Sequence, residues 1–306
     1  MSLSPEEYRE HLATTAVRAG FSFDESQVVL PQSREFHLGR MRFHYLDWGN
    51  KNLPTIVFLH GGALTAHTWD LVCLALRDDF HCVALDQRGH GDSDWAADGD
   101  YSIGAALSDS KGFVDHLGLD KFILAGMSLG AINSLAFAAA HPERLSHLVI
   151  IDAGPEMRRP GSSRIRDFVT QVQETVTVEA IIEKALEFNP RRDPKILRRS
   201  LMHNLRQQPD GTWRWKYDTQ RFKALDQEVH RAERAKLADG LARIACPALV
   251  VRGGESDVFH EEDGIRLAKR LPRGKFVTVP KAGHTVQGDN PKDLVAELRR
   301  FLAGDN

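Results

Sequence analysis

Three cysteines, Cys73, Cys82 and Cys246, are all that the 306 residues contain. An odd, scattered set with no metal-type spacing excludes a disulfide framework and a cysteine-based zinc site. Each lies in an apolar or element-edge context, so the expectation is three buried free thiols in a reducing compartment. Long apolar runs are lacking too: no stretch approaches the roughly 20 residues that a membrane-spanning helix needs. The first residues, Met1-Ser2-Leu3-Ser4-Pro5-Glu6-Glu7, do not follow the charged-then-apolar order of a secretory leader. Nor is there an excess of one charge. A formal net charge of -2 gives no electrostatic reason to expect nucleic acid or an anionic membrane as partner. No internal repeat, low-complexity tract or long linker interrupts the chain. With 42% hydrophobic and 27% charged residues, what remains is the composition of a cytosolic globular protein with a full core.

The most informative feature present is Gly126-Met127-Ser128-Leu129-Gly130. It sits where the apolar run Phe122-Ile123-Leu124-Ala125 gives way to a helix-like stretch from Ala131 to Ala140. A serine on a sharp strand-to-helix turn has its hydroxyl lifted clear of the sheet edge, the arrangement called a nucleophile elbow. The backbone at such a serine is strained, and side chains two residues either side would collide, which glycine avoids.

Around it, strand-like and helix-like patterns alternate. Residues 4–19 read as an amphipathic helix, with Ser4 as cap, Pro5 in the first turn and Glu7 completing a capping box. Glu35 to Leu38 and Met41 to Trp48 form a predicted hairpin across Gly39. Short apolar strands are expected at Thr55–Leu59, His81–Leu85, Lys121–Ala125, Leu148–Ile151, Ala248–Val251 and Phe276–Val279. Predicted helices run near Thr68 to Leu76 and Ile103 to Leu117. Buried strands alternating with helices mean an α/β fold, a mostly parallel sheet covered on both faces, with ligands at the carboxyl ends of the strands. Between Asp152 and Ile244 only helical periodicity is read, over 165–172, 178–186, 196–205 and 232–241. Such an insertion after a strand's carboxyl end would lie over the site as a lid.

A serine hydroxyl needs a base to remove its proton during attack, and the base needs a buried carboxylate to orient it. In this architecture the order is Ser, acid, His. Gly253-Gly254-Glu255-Ser256-Asp257 follows one strand and Lys281-Ala282-Gly283-His284 follows the next. Ser128, Asp257 and His284 are therefore the expected catalytic residues, on loops at one sheet edge. Asp152, which also ends a strand, is the rival acid and Glu255 a weaker one. Asp257 is favoured because the Gly-Gly turn lets its loop swing toward the histidine, while Asp152 is expected to anchor the start of the lid by bonding backbone amides. The oxyanion formed at the attacked carbonyl calls for two backbone N–H donors. Leu129, just after the nucleophile, is one. Gly62 of His60-Gly61-Gly62-Ala63 is the expected second, with Ala63 as the alternative, and His60 is read as holding its loop.

These motifs resemble those of the α/β-hydrolase superfamily from about residue 36 to the C-terminus. The Asp86-Gln87-Arg88-Gly89-His90-Gly91-Asp92-Ser93 block is similar to a structural turn of that family and is given no catalytic role. The resemblance implies an eight-stranded sheet, a helical cap after the sixth strand, and a Ser-Asp-His triad with no metal or organic cofactor. The implied division is an N-terminal helical extension over 1–35, a core over 36–154 and 246–306, and a cap over 155–245.

Serine at the elbow separates this chain from the haloalkane dehalogenases and epoxide hydrolases of that superfamily, which carry aspartate there. The epoxide hydrolases also use paired cap tyrosines, whereas Tyr217 is the only tyrosine in this lid. Carbon–carbon bond hydrolases resemble it in outline, but have Asn before the nucleophile and an aromatic residue after the histidine; here Met127 and Thr285 stand there. The lid carries 19 Lys and Arg against 13 Asp and Glu, read as a solvated helical surface rather than a lure for anionic substrates. Trp213, Trp215, Met202 and Phe222 fit either an apolar pocket or lid packing. The expectation is a serine hydrolase that cleaves a small or medium carboxylic ester, its partner a small molecule. The alternatives are an amide, lactone or carbon–carbon bond hydrolase with the same triad, and a non-catalytic small-molecule receptor.

Overall fold

The computed structural model describes residues 4–23, 25–155, 177–188, 194–220 and 227–304. Eight strands form one sheet: β1 (Gln32–Leu38), β2 (Met41–Asp47), β3 (Thr55–Leu59), β4 (His81–Leu85), β5 (Phe122–Met127), β6 (Leu145–Ile151), β9 (Ala248–Gly253) and β10 (Gly274–Val279). Two short strands, β7 (Leu205–Gln207) and β8 (Trp213–Trp215), pair separately. The spatial order is β1-β2-β4-β3-β5-β6-β9-β10. From β4 to β10 every pairing is parallel, and only β1 and β2 join antiparallel. This is the mostly parallel sheet that the alternating pattern calls for.

Strands β3, β4 and β5 are buried at every residue, as strands covered on both faces must be. Along β5 the side chains alternate between two cores. Phe122 and Leu124 join Phe113, Leu135 and Phe137 on one face, while Ile123, Ala125 and Met127 join Trp69, Val72, Leu294 and Leu298 on the other. The first core is closed by α3 (Ile103–His116) and α4 (Leu129–Ala140), the second by α1 (Pro5–Arg18), α2 (Asp70–Leu76) and, near the C-terminus, Pro291–Leu302. Each of these large side chains, fully withdrawn from water, stabilises the fold by roughly 1.5–3 kcal/mol. No helix among the described residues is long and apolar enough to cross a membrane.

Helix α1 begins as its sequence demands. Ser4 accepts from the Glu7 amide, Glu7 returns a bond to the Ser4 amide, and Pro5 occupies the first turn. Leu12 of this helix lies in the second core.

Between β6 and β9 come α5 (Val178–Phe188), α6 (Pro194–Asn204) and α7 (Gln227–Gly240), with β7 and β8 between α6 and α7. The purely helical expectation for this insertion therefore needs correcting: Leu205–Gln207 and Trp213–Trp215 form an antiparallel ribbon. Strands of three residues are too short to register as a period. Met202, Trp213 and Trp215 pack against Val178, Ile181, Leu197, Leu201 and Leu205, so lid packing accounts for them. The expected helix over 165–172 and Phe222 lie outside the described residues.

Asp86, just beyond β4, knots the loops at this edge. Its carboxylate accepts from the Ala66 amide at 2.6 Å, the Asp92 amide at 3.0 Å and His44 Nδ1–H at 2.7 Å. A Cβ at Gly91 would lie 2.1 Å from that carboxylate, so only glycine passes there. Burial works to raise the Asp86 pKa, but the bonds from His44 and Ala66 outweigh it and hold the carboxyl well below the usual range. A depressed folded-state pKa gives stability that is present above the unfolded carboxylate range and lost as pH falls through it toward the folded value. Asp86→Asn is therefore expected to cost about 3 kcal/mol at pH 7. In urea melts run at successive pH values, the gap from wild type should narrow below about pH 4. A gap that does not depend on pH would show that the charge carries none of the effect.

Candidate active site

Ser128 follows β5 and precedes α4 with φ at 53° and ψ at -110°, a left-handed conformation costly for any residue but glycine. The turn is locked from both sides. The Ser128 amide donates to Ile151 O of the neighbouring strand and the Gly130 amide to His60 O, both at 3.0 Å. A Cβ on Gly126 would stand 2.2 Å from Gly130 O, and one on Gly130 would stand 2.1 Å from Leu59 O. The two glycines are thus steric requirements of the elbow, the second because α4 enters directly over the end of β3.

His284 lies in the loop after β10, and its ring bridges two side chains. Nε2 is 3.0 Å from Ser128 Oγ, and Nδ1 is 2.7 Å from Asp152 Oδ2. A carboxylate can only accept, so the proton sits on Nδ1 and leaves the Nε2 lone pair facing the serine hydroxyl. Asp152 is fully buried and also accepts from Ser256 Oγ–H at 2.5 Å and from the Gly253 amide at 2.8 Å. Four groups meet, from the ends of β5, β6, β9 and β10.

The expected acid must accordingly be corrected. The carboxylate on His284 belongs to Asp152, and Asp257 is exposed. The reason lies in the loop after β9. Arg252 donates to the carbonyls of Gly254, Ser256 and Phe259, curling the segment so that Ser256 faces inward and the next residue faces out. Gly253 serves a different end from the one expected of it. A Cβ there would lie 2.1 Å from Gly283 O, so the glycine lets the histidine loop approach. The expected role of Asp152 is to anchor the start of the lid through backbone amides; the amide it holds is that of Gly253, at the end of β9. What places Asp152 is the strand pairing: Met127 pairs with Ile151 in register, so the next residue on each strand, Ser128 and Asp152, emerges side by side. Asp152 also shares the serine's left-handed backbone, with φ at 51°.

The loop after β3 carries His60 to Ala63. His60 holds it, as its sequence position suggested. Nδ1–H donates to Gly61 O at 2.8 Å, Nε2 accepts from the Gln87 amide at 3.0 Å, and His60 O accepts from Gln87 Nε2 at 2.6 Å. Asn133 of α4 fixes the other end of that Gln87 amide through a 2.7 Å bond. A Cβ on Gly61 would stand 3.4 Å from Ser128 Cβ, so the Gly61–Gly62 backbone runs beside the nucleophile, and Gly62 is partly exposed there. Leu129 opens α4, so its amide has no carbonyl one turn back to meet.

The insertion docks on this edge through polar contacts. Thr65 Oγ1 donates to Asn204 Oδ1 at 3.1 Å, and Arg206 and Lys216 both pair with Asp92. Tyr101 Oη donates to Asp218 Oδ2, and the Asp218 amide donates to Gly89 O. The Asp86–Ser93 block therefore receives the ribbon as well as holding its own turn. Beside the site lies a cavity of about 520 Å³, walled by α1, the residues after β3, α6 and the loop that carries Thr285.

A mostly parallel eight-stranded sheet with a serine elbow at its carboxyl edge defines a class, and comparison with known proteins agrees. The family described as alpha/beta hydrolase fold matches residues 54–291, and the chain belongs to it. It is a hydrolase by fold and kinship. Esterase Rv0045c of Mycobacterium tuberculosis is 31% identical over 268 residues, covering 84% of this chain and 85% of that one. Its crystal structure superposes with a TM-score of 0.79 at 30% identity, covering 99% of this chain and all of the other. The 3-hydroxybutyrate-oligomer hydrolase of Cupriavidus necator is 30% identical over 281 residues, covering 87% of this chain and 94% of that protein. The sn-1-specific diacylglycerol lipase ABHD11 of Mus musculus is 28% identical over 272 residues, covering 86% and 85%.

Proposed function

We propose that the chain is a serine ester hydrolase that cleaves small or medium carboxylic esters through an acyl-enzyme. The observation that carries this reading is the single imidazole held between Ser128 Oγ and a buried carboxylate. As Ser128 Oγ attacks the ester carbonyl, its proton passes to His284 Nε2, and Asp152 stabilises the imidazolium that forms. The carbonyl oxygen becomes an oxyanion that accepts from the Gly62 and Leu129 amides. Collapse breaks the bond to the alcohol oxygen, which takes the proton from His284. A water molecule then gives its proton to His284 and attacks the acyl carbon, releasing the acid and restoring the serine. Electrons and protons balance without an external cofactor. Of the relatives described above, one is named an esterase and one a diacylglycerol lipase, which supports an ester as substrate. Residues 155–245 act in this reading as the cap, and the three buried free thiols fit a cytosolic protein.

A fluorophosphonate probe together with a panel of p-nitrophenyl esters of rising chain length, one of them anionic, tests this. We expect a single labelled residue, Ser128, and turnover of short and medium esters well above that of matched amides and lactones. A protein that binds the esters yet is neither labelled nor turns them over is a receptor, and the proposal falls.

A further inference from the structure

A second cluster of chemistry-bearing side chains lies in the wall of the cavity beside the site, and the reaction above uses none of it. His67 sits in the short 3₁₀ turn Ala66–Trp69, Asp70 begins α2, and His203 comes from α6 in the insertion. One ligand atom from each lies within 4.8 Å of the others. The two imidazole rings stack at 3.8 Å between centroids and 27° between planes. His67 Nδ1 is 3.1 Å from Asp70 Oδ2. Tyr8 Oη of α1 donates to that same oxygen at 2.7 Å, the outer bond that typically fixes a ligating carboxylate.

Two polar atoms here are left over. Asp70 is only 6% exposed, yet its Oδ1 has no hydrogen-bond partner among the described residues, and neither does the buried Nε2 of His203. A buried carboxylate oxygen and a buried ring nitrogen without partners each carry an unrecovered desolvation cost of about 1–3 kcal/mol. One ion between them would satisfy both. The other comparable group, His44, Asp86 and Asp92, offers a contrast. Asp86 accepts from His44 and two amides, while Asp92 pairs with Arg206 and Lys216, so its oxygens are already engaged.

We propose that His67, Asp70 and His203 form a site for one borderline divalent transition-metal ion of the zinc class. Two imidazoles and one carboxylate are the donor set such ions favour, whereas calcium and magnesium call for all-oxygen ligands. All three residues line the cavity, which supplies a route of access and room for a water in the fourth position. The ion would tie α6 of the insertion to the start of α2 in the core, with α1 held against the pair through Tyr8. Its effect is a clamp across the junction, separate from the Ser128–His284 chemistry.

The test is zinc chloride titrated into the full-length, chelator-treated protein, followed by calorimetry and thermal melting, with cobalt(II) as a visible-absorption reporter. Wild type should bind one equivalent, show a d–d band of low coordination number, and gain in Tm as zinc is added. In His203→Ala and in His67→Ala, each checked for native circular dichroism, affinity should fall at least about tenfold and the Tm gain should vanish. His284→Ala should retain the binding. If wild type binds no zinc, or if binding survives in both cluster variants, the site does not exist. Loss of binding in His284→Ala alone would place the ion on the catalytic histidine and overturn the proposal. Neither result bears on ester cleavage, so this inference and the proposed function fail separately.

Discussion

Ser128→Ala is expected to lower kcat for ester hydrolysis by about 10⁴-fold or more while the protein still folds. Among the described residues His284 Nε2 is bonded to the serine oxygen alone, and a water occupying the vacated space would attack without forming the acyl-enzyme. The small residual rate would come from the oxyanion donors and binding alone. Stability should change by less than about 1 kcal/mol, because alanine is no more strained than serine at a φ of 53° and the lost bond is partly exposed. The measurement is steady-state hydrolysis of a short p-nitrophenyl ester beside a urea melt. Retention of most of the activity would refute the assignment of the nucleophile, whatever the geometry of the neighbouring histidine.

The parts of this site visible in the chain are those that backbone sterics dictate. Gly126 and Gly130 flank the serine because a Cβ at either would overlap main-chain atoms, so the requirement is written directly in residue identity. His284 was legible because its loop follows a short apolar strand, β10, and because the order of nucleophile, acid and base is fixed by the fold. The acid was not legible by the same reasoning, since Asp152 and Asp257 both follow strands and both lie between Ser128 and His284. What separates them is Arg252, whose three bonds to loop carbonyls turn Asp257 outward. Side-chain to main-chain bonds of that kind leave no periodic trace. Strand register would have helped, because it sets Ser128 beside Asp152, but register is a property of paired strands and not of either segment alone.

The N-terminal helix shows the same division. Its cap and first turn could be read residue by residue, and Ser4, Pro5 and Glu7 do what those types do. Its place could not. In sequence it is far from the elbow, and its amphipathic pattern says only that one face is buried. In the structure that face packs on the second core through Leu12, while His11, Thr15 and Arg18 line the cavity under α6, and Tyr8 reaches Asp70. A segment that sequence position makes look peripheral becomes a wall beside the site, because the chain returns to the carboxyl edge from both ends.

The two candidate acids can be told apart by the second large effect. Asp152→Asn should reduce kcat by about 10³- to 10⁴-fold, and Asp257→Asn should leave it within about threefold. In the native site Asp152 Oδ2 accepts from both His284 Nδ1–H and Ser256 Oγ–H, while Oδ1 takes the Gly253 amide. An asparagine must keep its carbonyl oxygen toward the Gly253 amide, since a main-chain N–H can only donate. That turns its NH₂ toward the histidine, where it can donate but not accept. Nδ1 must then act as the acceptor, the ring proton moves to Nε2, and the lone pair that faced Ser128 is gone. The negative charge that steadies the imidazolium is lost at the same time. The structure around the ring should hardly shift, so substrate binding should be kept and KM should change little, confining the loss to kcat. Asp257 is exposed, and the bonds on the two ring nitrogens come from Asp152 and Ser128. A collapse of kcat in Asp257→Asn with Asp152→Asn still active would reverse the assignment, and would mean that the loop held by Arg252 rearranges when substrate binds.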